Sequence, residues 1–92
     1  MDFEWDKLKN LANIRKHGVS FSEAKSVFYD PNARVIEDKK HSREEERFII
    51  IGCSQKLHVL TVCHCVRDEE IIRIISARKA TKKEIESYNS FI

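Results

Sequence analysis

The side chains best placed to do chemistry are concentrated in one apolar run near the C-terminus. Residues 71–80 read Ile-Ile-Arg-Ile-Ile-Ser-Ala-Arg-Lys-Ala, a strand-type run that stops just ahead of a predicted helix. A guanidinium among four isoleucines must either pair with a carboxylate inside the fold or lie in a site that binds anions, because proteins rarely bury an unpaired charge. Arg73 and Arg78 are therefore the first candidates for contact with an anionic ligand.

A second concentration of polar side chains is the loop 38–46, which separates two predicted strands. It reads Asp-Lys-Lys-His-Ser-Arg-Glu-Glu-Glu and is followed by Arg47. Loops of this kind carry function more often than the elements that they connect. A solvated surface loop is the simpler interpretation, and a basic rim that follows a phosphate backbone is the functional one.

Cys63, His64 and Cys65 suggest a zinc site as a further possibility. Their spacing differs from the C-x2-C and H-x3-H patterns of zinc sites, and alternate residues of a strand point to opposite faces. We therefore expect structural thiols, kept reduced, and neither a metal nor another cofactor.

Length, composition and net charge indicate a small soluble domain without a strongly basic surface overall. The chain has 92 residues, of which 41% are hydrophobic and 35% charged, and its net charge is only +2. This length predicts a single domain over residues 1–92, and the small net charge means that any nucleic-acid surface must arise from local segregation of charge. No long apolar segment is present, so we expect neither a signal peptide nor a membrane span, and a cytoplasmic location.

The pattern of elements predicts an α+β fold with two N-terminal helices, a four-stranded, mainly antiparallel sheet and a C-terminal helix. The first helix runs from an Asp6 cap to Gly18, and the second follows the Ser-x-x-Glu capping box at Ser20. Runs rich in β-branched residues predict strands at 34–37, 47–53, 57–66 and 70–77. A second capping box, at Thr81, predicts the last helix.

The short hairpin connections also predict a register. A two-residue turn at 68–69 would place His64 opposite Arg73, and a two-residue turn at 55–56 would place Arg47 opposite His64. Together these turns predict a row of Arg47, His64 and Arg73 across three strands. A three-residue turn would break that row.

Several separate motifs, in order along nearly the whole chain, resemble the BrnT family of bacterial toxins. They are Trp5-Asp6, Asn13, Lys16-His17-Gly18-Val19, Phe21, Asp30-Pro31, His41-Ser42, Glu46-Arg47, Gly52 and the run from Arg73 to Ala80. The resemblance implies a RelE/ParE-like fold and an endoribonuclease that blocks translation. It also implies a BrnA-type ribbon-helix-helix antitoxin, which holds the toxin in a heteromeric complex and alone contacts operator DNA.

For such an enzyme, RNA supplies its own nucleophile, the 2′-hydroxyl, so that the protein must align the attack, move protons and stabilise the phosphorane. We expect Arg73 and Arg78 to stabilise charge, His64 to transfer protons, with His41 and Glu46 as other candidates, and Glu46 alternatively to hold an arginine in place. The expected RNA ligands are Arg67, Lys79, His41, Arg47, Lys39 and Lys40.

Structural interpretations of the same residues stay open. Arg73 could form an ion pair with Glu46 or Glu70, and His64 could be a half-buried strand histidine with no catalytic role. Two other functions also stay open, namely a toxin of the same fold that poisons a protein target without cutting RNA, and a non-toxic nucleic-acid-binding regulator. Growth arrest without RNA cleavage would favour the first of these, and a neighbouring ribbon-helix-helix gene would count against the second.

Overall fold

One mixed sheet of five strands, flanked by three helices, forms the fold of residues 1–90, which are the residues that the computed structural model describes. The strands are β1 (Asp2–Glu4), β2 (Arg34–Glu37), β3 (Phe48–Cys53), β4 (Val59–Arg67) and β5 (Ile71–Lys79), and the helices are α1 (Lys7–His17), α2 (Phe21–Ser26) and α3 (Lys82–Asn89). Two 3₁₀ turns, Val27–Tyr29 and Lys39–His41, follow α2 and β2. The predicted α+β class is confirmed. Within residues 1–90, no helix has the length and apolar character needed to cross a membrane.

The sheet differs from the prediction at one edge. Its order is β1-β5-β4-β3-β2, and β1 runs parallel to β5. Strands β2 to β5 form the predicted antiparallel meander, but the prediction of four strands is wrong because β1 adds a fifth, parallel one. Two of the three residues in β1 are acidic, and so short a segment shows no alternation. Its pairing depends on a strand near the other end of the chain, which local pattern cannot reveal.

Helix boundaries follow the local capping signals. Asp6 caps α1 by accepting two backbone hydrogen bonds from its first turn, and α1 ends at Gly18, whose φ of 69° is strained for other residues. Ser20 caps α2, and Thr81 begins a complete capping box at α3. The predicted starts of all three helices are confirmed.

The hydrophobic core lies between one face of the sheet and the segment from α1 to the first 3₁₀ turn. Its buried members are Val19, Phe21, Ala24, Val27, Ile50, Leu60, Val62, Ile74 and Ala77. We call this side of the sheet the covered face. The opposite side carries Thr61, Cys63, Ser76 and Arg78, and we call it the open face.

A bulge interrupts β5 at Ile75. The residues on either side of it, Ile74 and Ser76, are opposite His64 and Cys63, which are adjacent on β4. Ile75 is therefore an extra residue without a partner on β4. Beyond such a residue the alternation of side chains between the two faces is reversed.

The bulge brings two arginines to the same face. In a regular strand, residues five apart point to opposite faces. Arg73 and Arg78 both lie on the open face because Ile75 intervenes. For the same reason Ile74 and Ala77, three residues apart, are both in the core and only 1% exposed.

Both hairpin turns are longer than predicted by one residue. In the β3–β4 turn, Ser54 donates to the carbonyl of His58 at 2.8 Å, and the three residues between them end with Leu57 at a φ of 63°. In the β4–β5 turn, Arg67 is opposite Ile71, so three residues are left in the loop. A left-handed residue at the end of a three-residue loop is a common hairpin geometry. The predicted two-residue turns are wrong.

The longer turns break the predicted row of Arg47, His64 and Arg73. His64 is opposite Phe48 on β3 and Ile74 on β5. Because side chains alternate along a strand, His64 lies on the covered face with Leu60 and Val62. The row across three strands is therefore wrong.

The side chain of Asn13 hydrogen-bonds to the part of the β5 edge that β1 does not cover. β1 pairs only with residues 71–73, and the side-chain amide of Asn13 takes the place of a neighbouring strand at Ala77. Its oxygen accepts from the Ala77 N–H at 3.2 Å, and its nitrogen donates to the carbonyls of Ala77 and Val19, both at 2.8 Å. A buried amide thereby fixes α1 to the sheet.

Candidate functional site

A cavity of about 480 Å³ opens on the open face of the sheet, beside the segment 38–47. Its lining includes one acidic side chain, that of Asp38, and five basic or imidazole side chains: Lys16, His17, His41, Arg47 and Arg78. Its polar floor is formed by Thr61, Cys63 and Ser76. A shallower hollow of about 820 Å³ adjoins it, and His41 and Arg47 line both. The concentration of cations on a small protein of low net charge marks this region as the candidate site.

The segment 38–47 is held in shape by Ser42. The Ser42 hydroxyl donates to the carbonyl of Asp38 at 2.6 Å and accepts from the N–H of Arg47 at 2.9 Å. The Asp38 N–H also donates to the Arg47 carbonyl at 2.8 Å. These contacts close the loop on itself, so that its side chains are presented from a fixed base beside the sheet.

His41 and Asp38 form a hydrogen-bonded pair at the cavity. The Nδ1 atom of His41 lies 2.9 Å from an oxygen of Asp38. The Asp38 side chain is only 11% exposed, whereas the His41 side chain is 59% exposed. A carboxylate at Nδ1 orients the ring and leaves Nε2 to exchange a proton with a ligand, which is the arrangement that general acid–base catalysis needs.

Arg47 brings a cation with an unused donor to the same place. Its Nε atom is buried and has no hydrogen-bond partner within residues 1–90. Burial raises the pKa of the neighbouring Cys63 thiol, and the charge of Arg47 opposes that rise. Arg47 also lines the cavity, so its positive charge lies close to the His41–Asp38 pair.

Arg78 lines the cavity while holding a carboxylate from α3. Its two terminal nitrogens donate to the two oxygens of Glu84 at 2.7 and 3.1 Å, a bidentate contact. Thr61 also donates to Glu84, at 3.1 Å. The Arg78 side chain remains 41% exposed, so the ion pair does not remove it from the cavity.

The Glu84–Arg78 pair predicts a pH dependence of stability. Chiefly through its hydrogen bond to Arg78, the pKa of Glu84 falls from 4.5 to about 2. A carboxyl whose pKa is depressed by folding stabilises the fold above its unfolded pKa, and that contribution is lost as the pH falls from about 4.5 toward 2. Glu84→Gln should therefore lower the free energy of unfolding at pH 6 more than at pH 2.5. Urea unfolding at both pH values measures this, with the exposed Glu86→Gln as control; equal losses at both pH values would contradict it.

Arg73 and Arg67 form a separate cluster on the same face. Both donate to Glu4 of β1, at 2.8 and 3.3 Å. The predicted pairing of Arg73 inside the fold is thus found, but its partner is Glu4, which the sequence did not suggest. Arg73 lies opposite a β4 residue four positions from the partner of Arg78, so their backbones are about 13 Å apart. Arg73 is held by Glu4 and Arg78 by Glu84, so the two guanidinium groups belong to separate ion-pair clusters.

His64 is placed away from these residues. It is 4% exposed on the covered face, and its ring packs edge-on against Phe28 at 4.8 Å between centroids. Burial lowers the pKa of His64. Its neighbours Cys63 and Cys65 point to the open face, so the three side chains do not converge on one ion.

The other predicted ligands lie around the cavity rather than in it. Lys40 lines the adjoining hollow together with His41, while Lys39 and Glu46 are exposed and outside the lining. Lys79 is opposite Leu60, which places it on the side of β5 away from the cavity. The structure therefore brings together Arg78, Arg47 and His41 from the predicted set.

Sequence reasoning missed the cavity roles of five residues. They are Asp38, Lys16, His17, Thr61 and Ser76. An acidic residue three positions before a histidine in a polar loop was the one available signal. Lys16 and His17 lie in the last turn of α1, and the contact of Asn13 with Ala77 brings that end of the helix to the cavity.

Fold and site together define a small α+β protein with a cationic cavity on the open face of its sheet. The family model described as "Ribonuclease toxin, BrnT, of type II toxin-antitoxin system" matches residues 5–84. This chain belongs to the BrnT family of ribonuclease toxins, and membership in a type II system implies an antitoxin partner.

A solved structure supports this assignment. The chain is similar to the Brucella abortus ribonuclease toxin BrnT, known from a 1.1 Å crystal structure, with a TM-score of 0.69 and 27% sequence identity. The match covers 89% of this chain and 99% of the Brucella chain. Among curated protein sequences, no match to this chain is found.

Proposed function

We propose that this chain is a metal-independent endoribonuclease that cuts RNA in the cavity formed by Arg47, Arg78, His41 and Asp38. The observation that carries the proposal is that the Arg47 guanidinium and the hydrogen-bonded His41–Asp38 pair line the same cavity. The first supplies an anion ligand and the second a group that exchanges protons. RNA cleavage by its own 2′-hydroxyl requires both.

Arg47 and Arg78 bind the scissile phosphate in this proposal. A guanidinium offers several donors in one plane, which match two phosphate oxygens and gain strength as charge develops on the phosphorane. Arg78 exchanges part of its contact with Glu84 for the phosphate, since its side chain is already partly exposed. Lys16 adds positive charge from the end of α1, and His17 adds a further polar side chain beside it.

His41 moves the protons. With Nδ1 held by Asp38, the Nε2 atom accepts the proton of the 2′-hydroxyl as the oxygen attacks phosphorus. The same ring, once protonated, donates to the 5′-oxygen that leaves. The substrate supplies the nucleophile, so the mechanism requires no metal to generate one.

The remaining predicted ligands extend the surface for RNA. Arg67 and Arg73 lie on the open face at a distance that fits a neighbouring phosphate, and Lys39 and Lys40 lie on the loop beside the cavity. Single-stranded RNA laid across the face would meet both clusters. Lys79 lies on the covered face, so it would contact the RNA only if the strand continued around the edge of the sheet.

The biological setting follows from the family. We propose that the chain acts as one RelE/ParE-like domain in the cytoplasm, inhibits translation by cutting RNA, and is held inactive by a BrnA-type ribbon-helix-helix antitoxin. Operator DNA is then contacted by the antitoxin and not by this chain.

Substitution of His41 tests the proposal. We expect His41→Ala to slow cleavage of a labelled RNA by about 100-fold or more in the presence of EDTA, because general acid–base catalysis contributes on that scale. His58→Ala is the matched control, since His58 makes a 2.9 Å contact with Glu23 but lies outside the cavity.

Equal rates for the two variants, at matched thermal stability, would contradict the role of His41. Growth arrest by wild-type protein that cuts no RNA would instead favour a toxin that acts on a protein target.

A further inference from the structure

Helix α1 is packed with its polar side toward the fold and its apolar side toward solvent. Asn13 is its one buried residue, whereas Leu8, Leu11 and Ile14 are 77%, 57% and 40% exposed. A helix on the surface of a soluble protein ordinarily does the reverse. The inversion is possible because side-chain hydrogen bonds, those of Asn13 to Val19 and Ala77, fix the helix to the sheet.

The exposed apolar residues form one continuous stripe. Leu8, Leu11 and Ile14 follow one another at intervals of three, and residues at that spacing are neighbours on a helix surface. Arg15 lies beside Leu11 at i+4. A contiguous apolar surface of this kind marks an interaction site rather than scattered exposure.

The charges around the stripe select the occupant. All charged residues of α1 are basic, namely Lys7, Lys9, Arg15 and Lys16, and all four are exposed. A second copy of α1 would place four positive charges against four others. A phosphate backbone would satisfy the charges but not the apolar stripe. An amphipathic helix with acidic flanks satisfies both.

We propose that the outer face of α1 is the docking surface for an acidic amphipathic helix of the antitoxin. This inference rests on the proposed function for its inhibitory consequence, and on family membership for the existence of the partner. Because Lys16 and His17 line the cavity, a helix seated along α1 reaches the cavity mouth at its far end. Recognition then follows the helix-in-groove mode, with apolar anchors and complementary charge.

Substitution in the middle of the stripe tests the surface. The probe is the purified cognate antitoxin, titrated against the chain by calorimetry. We expect Leu11→Asp to weaken binding by about 30-fold or more, which is the scale for a central interface residue. Leu57→Asp is the matched control, because Leu57 is 83% exposed on the β3–β4 turn and its left-handed backbone suits aspartate.

The outcomes separate the possible occupants. Equal affinity of both variants for the antitoxin overturns the proposal. A wild-type chain that dimerises alone and becomes monomeric on Leu11→Asp overturns it in favour of a second copy. Binding to phosphatidylglycerol vesicles that only Leu11→Asp abolishes overturns it in favour of a membrane surface.

RNA cleavage, measured in parallel, keeps the two proposals distinct. Leu11 is outside the cavity, so the Leu11→Asp variant should cut RNA at the wild-type rate. Added antitoxin should inhibit this variant less than it inhibits the wild-type chain. If wild-type chain cuts no RNA but Leu11→Asp alone loses the antitoxin, the proposed function fails and the docking surface stands.

Discussion

Replacing Arg47 with alanine is expected to slow RNA cleavage by about 10²- to 10³-fold, the effect of removing one donor from a preorganised anion site. Arg47 lines the cavity beside the His41–Asp38 pair, so its guanidinium is placed to meet an anionic ligand there. Arg47→Lys should recover only part of the loss, because an ammonium supplies charge without planar paired donors. Single-turnover cleavage at saturating protein separates the chemical step from binding.

The control for this experiment is Arg43→Ala. Arg43 belongs to the same loop and lines the adjoining hollow, but it is exposed and outside the smaller cavity. General loss of positive charge would affect both variants alike. If Arg47→Ala cleaves RNA at the same rate as Arg43→Ala, Arg47 has no role in the site.

Replacing Asn13 with alanine should cause a large loss of stability, although the side chain is polar. The change leaves three buried backbone groups without their hydrogen bonds, the N–H and carbonyl of Ala77 and the carbonyl of Val19. At about 1–3 kcal/mol for each unmet buried group, we expect a loss of roughly 3–5 kcal/mol after partial relaxation. That is a large part of the stability of a small domain, about 5–15 kcal/mol.

Asn10→Ala is the matched control for Asn13→Ala. Asn10 is on the same helix, but its side chain makes one hydrogen bond, from the N–H of Phe21 at 2.8 Å. We expect a loss of about 1 kcal/mol for this single bond. Urea unfolding measures the free energy of unfolding of both variants. If Asn13→Ala lowers it no more than Asn10→Ala does, the hydrogen bonds of Asn13 at the edge of β5 do not stabilise the fold.

The parts of the fold predicted correctly depend on short-range signals. The helices begin at Asp6, Ser20 and Thr81, whose side chains accept hydrogen bonds from backbone N–H groups two or three residues later. Strands β2 to β5 have β-branched sequences long enough to recognise. In both cases the determining interactions lie inside the segment itself.

The parts predicted wrongly depend on contacts between distant segments. β1 is a strand only because β5 is beside it, and the extra residue at Ile75 is tolerated because both Ile74 and Ala77 are then buried. Turn lengths differed by a single residue, yet one residue moves a side chain to the other face. The longer turns therefore put Phe48 and Ile74, instead of Arg47 and Arg73, opposite His64.

The candidate site was predicted in its parts and not in its arrangement. Arg47 and His41 were proposed as ligands from their charge and position, but nothing in the sequence ranked them above Arg73. Arg73 proved to be held by Glu4, and the role of Asp38 became visible only from its contact with His41. Which arginine keeps a free donor is decided by tertiary packing.

The chemistry of the cut ends tests the central claim most directly. Wild-type chain, freed of antitoxin, is incubated with end-labelled RNA in EDTA, and the new 3′ ends are identified by mass spectrometry. Attack by the 2′-hydroxyl predicts 2′,3′-cyclic phosphate at every cut, with a 5′-hydroxyl on the other fragment. Fragments that carry 3′-hydroxyl ends, or cutting that stops when EDTA is added, would contradict the account.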